Sequence, residues 1–279
     1  MRAWHYASTS RCRYLVFFYV FLIFAPCLTQ ATCDSTGAHR SLKAILLHDG
    51  NAIVQDAVGL AVAPAHFDGK DWLYTGAVVG GTALMFSVDV LVRDMAQRQH
   101  GRILDDLARF SNDNLTRTEI GPIIWLGGLV IGNESVRTAG LEMFESLTFA
   151  AVLTNVLKIG FGRGRPYLDQ GAFQYRPFHG GANYASLPSG HATAAFAMYS
   201  ALAAHLHNTW ASIGLYGLAS VSGLARIYSD VHWTSDVFLG AAIGTVIGNA
   251  VVHMHEKRNA KSCWEVGLTP GGARVAVRF

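Results

Sequence analysis

Pro188-Ser-Gly-His191 runs directly into Ala192-Thr-Ala-Ala-Phe-Ala-Met-Tyr199. This is a turn that becomes a helix of small residues. Ser189 is a favourable N-cap, and the first turn of a helix offers unpaired N–H groups to an anion. His191 in that turn would lie beside the anion and could pass a proton. Alone, the pattern also fits an ordinary capped helix with a polar first turn, so its flanks have to decide.

Upstream lies Lys158-Ile-Gly-Phe-Gly-Arg-Gly-Arg165-Pro166. A helix is expected to end near Lys158, and the glycines let the chain turn tightly. Lys158 as a point charge and Arg165 as a fork can together hold a phosphoryl group. The competing explanation is that basic residues complement the C-terminal end of a helix. Arg163, between them, is expected at the surface. Downstream lies Arg226-Ile-Tyr-Ser-Asp-Val-His232-Trp-Thr-Ser-Asp236. His232 and Asp236 are four residues apart and share a face if helical. A carboxylate bonded to one imidazole nitrogen fixes the tautomer and leaves the other nitrogen free to attack. A satisfied His–Asp surface pair would give the same spacing.

In order and spacing the three segments resemble the signature of the type 2 phosphatidic acid phosphatase superfamily: K-x6-RP, then PSGH, then SR-x5-H-x3-D. The matches are Lys158, Arg165 and Pro166, then Pro188 to His191, then Arg226, His232 and Asp236. Ala225 departs from the pattern where the family usually has Ser, which removes one hydrogen-bond donor and no charge. The resemblance implies an all-α bundle and hydrolysis of phosphate monoesters or pyrophosphates, lipid-linked or small. It also implies roles. His232 attacks phosphorus and forms a phosphohistidine, Asp236 orients it, and His191 protonates the leaving oxygen and then activates water. Lys158, Arg165 and Arg226, with Ser189 and the Gly190 N–H, bind the phosphate oxygens. Neither a metal nor a cofactor is expected. The stretch from Tyr167 to Leu187, with Phe173, Tyr175, Phe178 and His179, either roofs the pocket or packs its loop against the bundle. Two rival readings are a vanadate-dependent haloperoxidase and a catalytically silent membrane or scaffold protein of the same fold. The haloperoxidases are much longer chains, and a silent relative would be expected to lose His191 or His232.

Outward from these motifs, the 279-residue chain is 51% hydrophobic and 15% charged, with a formal charge of +3. That suits one large domain. Three of its cations, Arg2, Arg11 and Arg13, sit in the first segment, so no basic face remains for nucleic acid. Those arginines, the apolar run from Tyr14 to Pro26 and the small-residue exit at Thr29-Gln30-Ala31 read as a signal peptide over residues 1–31; an uncleaved anchor is the alternative. The helical domain is expected over 32–258, with a tail over 259–279 whose alternation suggests a strand or hairpin. Export would place the protein in the periplasm or at the inner membrane, with its active site facing the periplasm. Cys12 and Cys27 fall in the signal, whereas Cys33 and Cys263 remain and could pair.

Six core helices are expected, near Leu73–Val92, Ile120–Ile131, Val136–Leu157, His191–Leu206, Ser212–Ala225 and Ser235–His253. Spanning a membrane takes roughly 20 mostly apolar residues. Asp89, Glu142, Glu145, His205 and His207 interrupt the candidates. The reading therefore favours a water-soluble bundle with a very apolar core, with membrane association left open.

Overall fold

The ends of the helices are written locally. The Ser41, Asn133 and Asn208 side chains accept from the backbone three residues on, at Ala44, Val136 and Ala211, and Asp68 closes a reciprocal capping box with Asp71. Gly132 and Gly162 end their helices in the left-handed conformation, φ 68° and 58°, where a side chain would be strained. In the computed structural model, which describes residues 41–262, 264–269 and 272–277, these signals delimit eight helices: α1 (Leu42–Val62), α2 (Gly69–Arg98), α3 (Arg102–Asn114), α4 (Ile120–Ile131), α5 (Glu134–Phe161), α6 (Gly190–Leu206), α7 (Thr209–Tyr228) and α8 (Thr234–Ser262). The six expected helices are α2 and α4 to α8. Helices α1 and α3 were not expected from the sequence, and α8 runs on to Ser262, past residue 258. The backbone at Trp264–Thr269 and Gly272–Val277 is paired antiparallel. The signal segment, Cys12, Cys27, Cys33 and Cys263 lie outside the described residues.

Met143 and Leu147 of α5, Met198, Tyr199 and Leu202 of α6, and Leu215 and Ala219 of α7 form the main core. On the other side, α6 lies against α8 at very short range. Gly240, Gly244 and Gly248 recur every fourth residue along one face of α8. A Cβ at Gly240 would lie 2.7 Å from Ser189 O, and one at Gly244 would lie 2.5 Å from Thr193 O. The missing side chains thus let two backbones touch, as in small-residue packing between membrane helices.

Three helices, Gly69–Arg98, Glu134–Phe161 and Thr234–Ala260, are long and apolar enough by length and composition to cross a membrane. Their large side chains point outward: Leu73, Leu84, Val152, Val156 and Val246 are each 60% exposed or more. This is the outer surface of a membrane-associated protein and corrects the preference for a water-soluble bundle. The acids that argued against spanning are inside and partnered. Glu142 Oε2 meets His205 Nδ1 at 2.7 Å, Glu145 Oε2 meets His255 Nε2 at 3.0 Å, and Asp89 is bound to Arg163. Polar groups on such helices are tolerated when they face the bundle interior and pair.

Candidate active site

The end of α5, the start of α6, the end of α7 and the start of α8 meet at one end of the bundle and bring the three motifs together. Each helix terminus has a local cause. Gly162 ends α5 because a Cβ there would sit 1.9 Å from Arg176 O. The chain beyond it is pinned by Arg165 N to Asn183 O (3.0 Å) and Trp233 Nε1 to Gly164 O (3.0 Å). Ser189 caps α6, and its own N–H reaches Asp236 O at 2.9 Å. That bond ties the PSGH turn to the first turn of α8.

Around this junction, Lys158 stands beside the α6 N-terminus: a Cβ on Gly190 would meet Lys158 Cε at 3.6 Å and Nζ at 3.9 Å. Lys158 Nζ donates to Ala185 O. Arg165 Nε is buried with no hydrogen-bond partner among the described residues, as expected of a donor reserved for a ligand. His232 is buried, and its Nδ1 lies 3.5 Å from Asp236 Oδ2. Asp236 is fully buried; it also accepts from Arg163 NH1 at 2.7 Å, from Ser186 Oγ and from Trp233 N at 2.9 Å. His191 is exposed at the mouth of the junction.

Burial pushes His232 down to about 4, with Lys158 and Arg165 adding to it and Asp236 pulling the other way. His191 is also pushed down to about 4. Partial burial of this otherwise exposed residue is the largest cause, followed by Arg226, His232, Lys158 and Arg165. Both imidazoles are thus neutral at neutral pH. Lys158 and Arg165 thus act on both histidines, and Arg226 acts on His191.

Every site residue expected from the sequence, Lys158, Arg165, Ser189, Gly190, His191, Arg226, His232 and Asp236, falls at this junction. One expectation is overturned. Arg163 is wholly buried, bonded to Asp236, Ser235, Asp89 and the Ala172 carbonyl. Its position between motif residues did not reveal that α2 covers it. Ser186 and Asp89 were missed as site neighbours too, and the only signal was a carboxylate at 89 within an apolar helix. In the connecting loop, Phe173 stacks on Phe86 of α2 (5.9 Å between centroids) and packs that segment against the bundle, while Phe178 stands 80% exposed.

The fold and this junction define a class. Residues 139–260 match the family model described as the PAP2 superfamily. It is similar to two proteins described as lipid A 1-phosphatase. The Rhizobium etli protein is 35% identical over 107 residues, 38% of this chain and 45% of that protein. The Porphyromonas gingivalis protein is 37% identical over 100 residues, 34% of this chain and 19% of that protein. The chain thus spans less than half the length of these relatives. A crystal structure of a transmembrane PAP2-type phosphatidylglycerolphosphate phosphatase from Bacillus subtilis superposes with a TM-score of 0.52. It covers 65% of this chain and 95% of that one at 22% identity, which establishes the shared fold.

Proposed function

We propose that the protein is a membrane-embedded phosphatase that removes phosphate from a lipid-linked monoester or pyrophosphate through a phosphohistidine on His232, without a metal. The observation that carries this reading is the meeting of Lys158, Arg165 and Arg226 with His191 and His232 at one end of a bundle whose flanks are apolar. Fixed cations and the α6 N–H groups suit the charge that develops on the equatorial oxygens in phosphoryl transfer. The likeness to lipid A 1-phosphatases supports a lipid phosphate as the substrate class.

The arrangement of these residues supports the following steps. A bound phosphoryl group sets its negative charge against Lys158, Arg165 and Arg226. This offsets the repulsion that adds to burial in keeping His191 neutral, so His191 takes up a proton as substrate binds. Neutral His232 attacks phosphorus through Nε2, and the positive charge it gains on forming the P–N bond is balanced by Asp236 at Nδ1. His191 gives its proton to the leaving oxygen as the P–O bond breaks. Neutral again, it takes a proton from the water that attacks phosphohistidine, and phosphate departs as His232 recovers its lone pair. The N-terminal signal expected from the sequence supports a catalytic end at the periplasmic face.

The test is trapping of an acid-labile, base-stable phosphoenzyme from labelled substrate, comparing a lipid phosphate, a polyprenyl pyrophosphate and a soluble phosphomonoester. His232→Ala is expected to lose turnover by several orders of magnitude and to trap no label. His191→Ala is expected to become labelled from a substrate with a good leaving group, which needs little acid help, and then to turn over slowly. Label or normal turnover in His232→Ala would move the nucleophile elsewhere.

A further inference from the structure

Asp89 lies on α2, outside the residues that match the superfamily, yet it is fully buried against the first turn of α8. Its Oδ1 accepts from Ser235 N at 2.8 Å, and its Oδ2 accepts from Ser235 Oγ at 2.6 Å and Arg163 NH2 at 2.7 Å. Arg163 uses its full donor set. NH1 reaches Asp236 Oδ1 and Ser235 Oγ, both at 2.7 Å; NH2 reaches Asp89 and Ala172 O; Nε reaches Ala172 O at 3.0 Å. A guanidinium has five N–H bonds to give, and five are given. The Phe86 ring, with its centroid 4.4 Å from Arg163 Cζ, closes one side.

The geometry points to Asp89 and Arg163 as a positioning pair that holds Asp236 in place and reserves its negative charge for His232; this rests on the phosphatase reading above. Arg163 sits between two carboxylates with no solvent to screen it. If Asp236 were its sole counter-ion, that charge would be spent on Arg163 and little would remain to stabilise His232 as it becomes positive. Asp89 neutralises Arg163 from the far side. One net negative charge is then left on Asp236, with Ser186 and the Trp233 N–H fixing the carboxylate plane. The other charged or titratable groups acting on His232 are Lys158 and Arg165, with His191 coupled to it. All of these are cationic or neutral, so Asp236 is the counter-ion that faces it.

Asp89→Asn preserves shape and removes the charge. It is expected to lower kcat about 10- to 100-fold, the range that outer partners of oriented histidines carry, with KM within twofold. Equal falls in kcat and kcat/KM mark an interaction made in the transition state. Removing one partner of a buried pair can also unfold a protein, whereas removing both is tolerated. The decisive variant is therefore Asp89→Asn with Arg163→Gln, which deletes both charges and again leaves Asp236 free to serve His232. It is expected to recover at least tenfold in kcat over Asp89→Asn, or to stay within tenfold of wild type if the single variant does not fold. Thermal unfolding in detergent is measured alongside. A purely structural pair predicts normal kcat per folded molecule in Asp89→Asn, or losses that multiply in the double variant, and either result overturns the inference. The two readings fail separately. If wild type is active and His232→Ala is dead, a normal kcat in Asp89→Asn sinks this inference alone. A wild-type chain inactive on every substrate class removes both.

Discussion

Gly240→Ala tests whether the contact between α6 and α8 sets the catalytic geometry. The new Cβ would lie 2.7 Å from Ser189 O and 2.9 Å from Thr193 Oγ1. Ordinary contact begins at 3.4 Å, so the shortfall against Ser189 O is 0.7 Å. The Ser189 carbonyl belongs to helix backbone and cannot rotate aside, so the α6 N-terminus must move away from α8. Overpacking of this kind costs about 1–3 kcal/mol, offset by about 1 kcal/mol from replacing a helical glycine. Folding should therefore survive. The displacement falls on the turn carrying Gly190 and His191, and it opens the gap to His232 and Asp236. Misplacement by about 1 Å costs on the order of 100-fold in rate, so a loss of roughly 10- to 100-fold in kcat is expected. The assay is hydrolysis of the preferred substrate by detergent-purified protein at matched folded fraction. Gly217→Ala, where a Cβ meets nothing within 4 Å, serves as the control and should be as active as wild type. A Gly240→Ala enzyme within twofold of wild type would show that the helix contact does not set the site.

Two further outcomes are expected. With His232 held at about 4, its nucleophilic neutral form persists well below the usual histidine midpoint of about 6.5. The acid limb of kcat/KM should thus fall toward pH 4, and a limb centred near 6.5 would contradict the proposed role of buried His232 as nucleophile. Phosphatase activity should survive strong chelation because Lys158, Arg165 and Arg226 supply the positive charge; loss in chelator restored by one divalent ion would refute the metal-free mechanism.

The end of the bundle where the candidate residues meet was legible because helix termini advertise themselves. Ser189 is an N-cap, Gly162 allows the left-handed turn, and the spacing of His232 and Asp236 already implies a shared environment. What the sequence hid were contacts made across the chain. Arg163 looked like a surface cation because nothing local says that α2 lies over it. Asp89, Glu142 and Glu145 looked like obstacles to a membrane span because their partners Arg163, His205 and His255 are far away in sequence. A charge on an apolar helix reads the same whether it faces lipid, water or a buried counter-ion, and only packing separates these cases. Helix α3 was missed for the opposite reason: with Arg102, Asp105, Asp106 and Arg109 along it, it lacks the apolar run used to find the others.

Under the proposed function, the apolar flanks of α2, α5 and α8, ending where the motif residues gather, change what concentration means for the enzyme. A lipid that diffuses in the plane of the bilayer brings its head group to the helix ends from the side and never has to leave the membrane. Encounter then happens in two dimensions. The quantity that sets turnover is the mole fraction of substrate among its neighbouring lipids, and the volume of surrounding buffer drops out of the rate law.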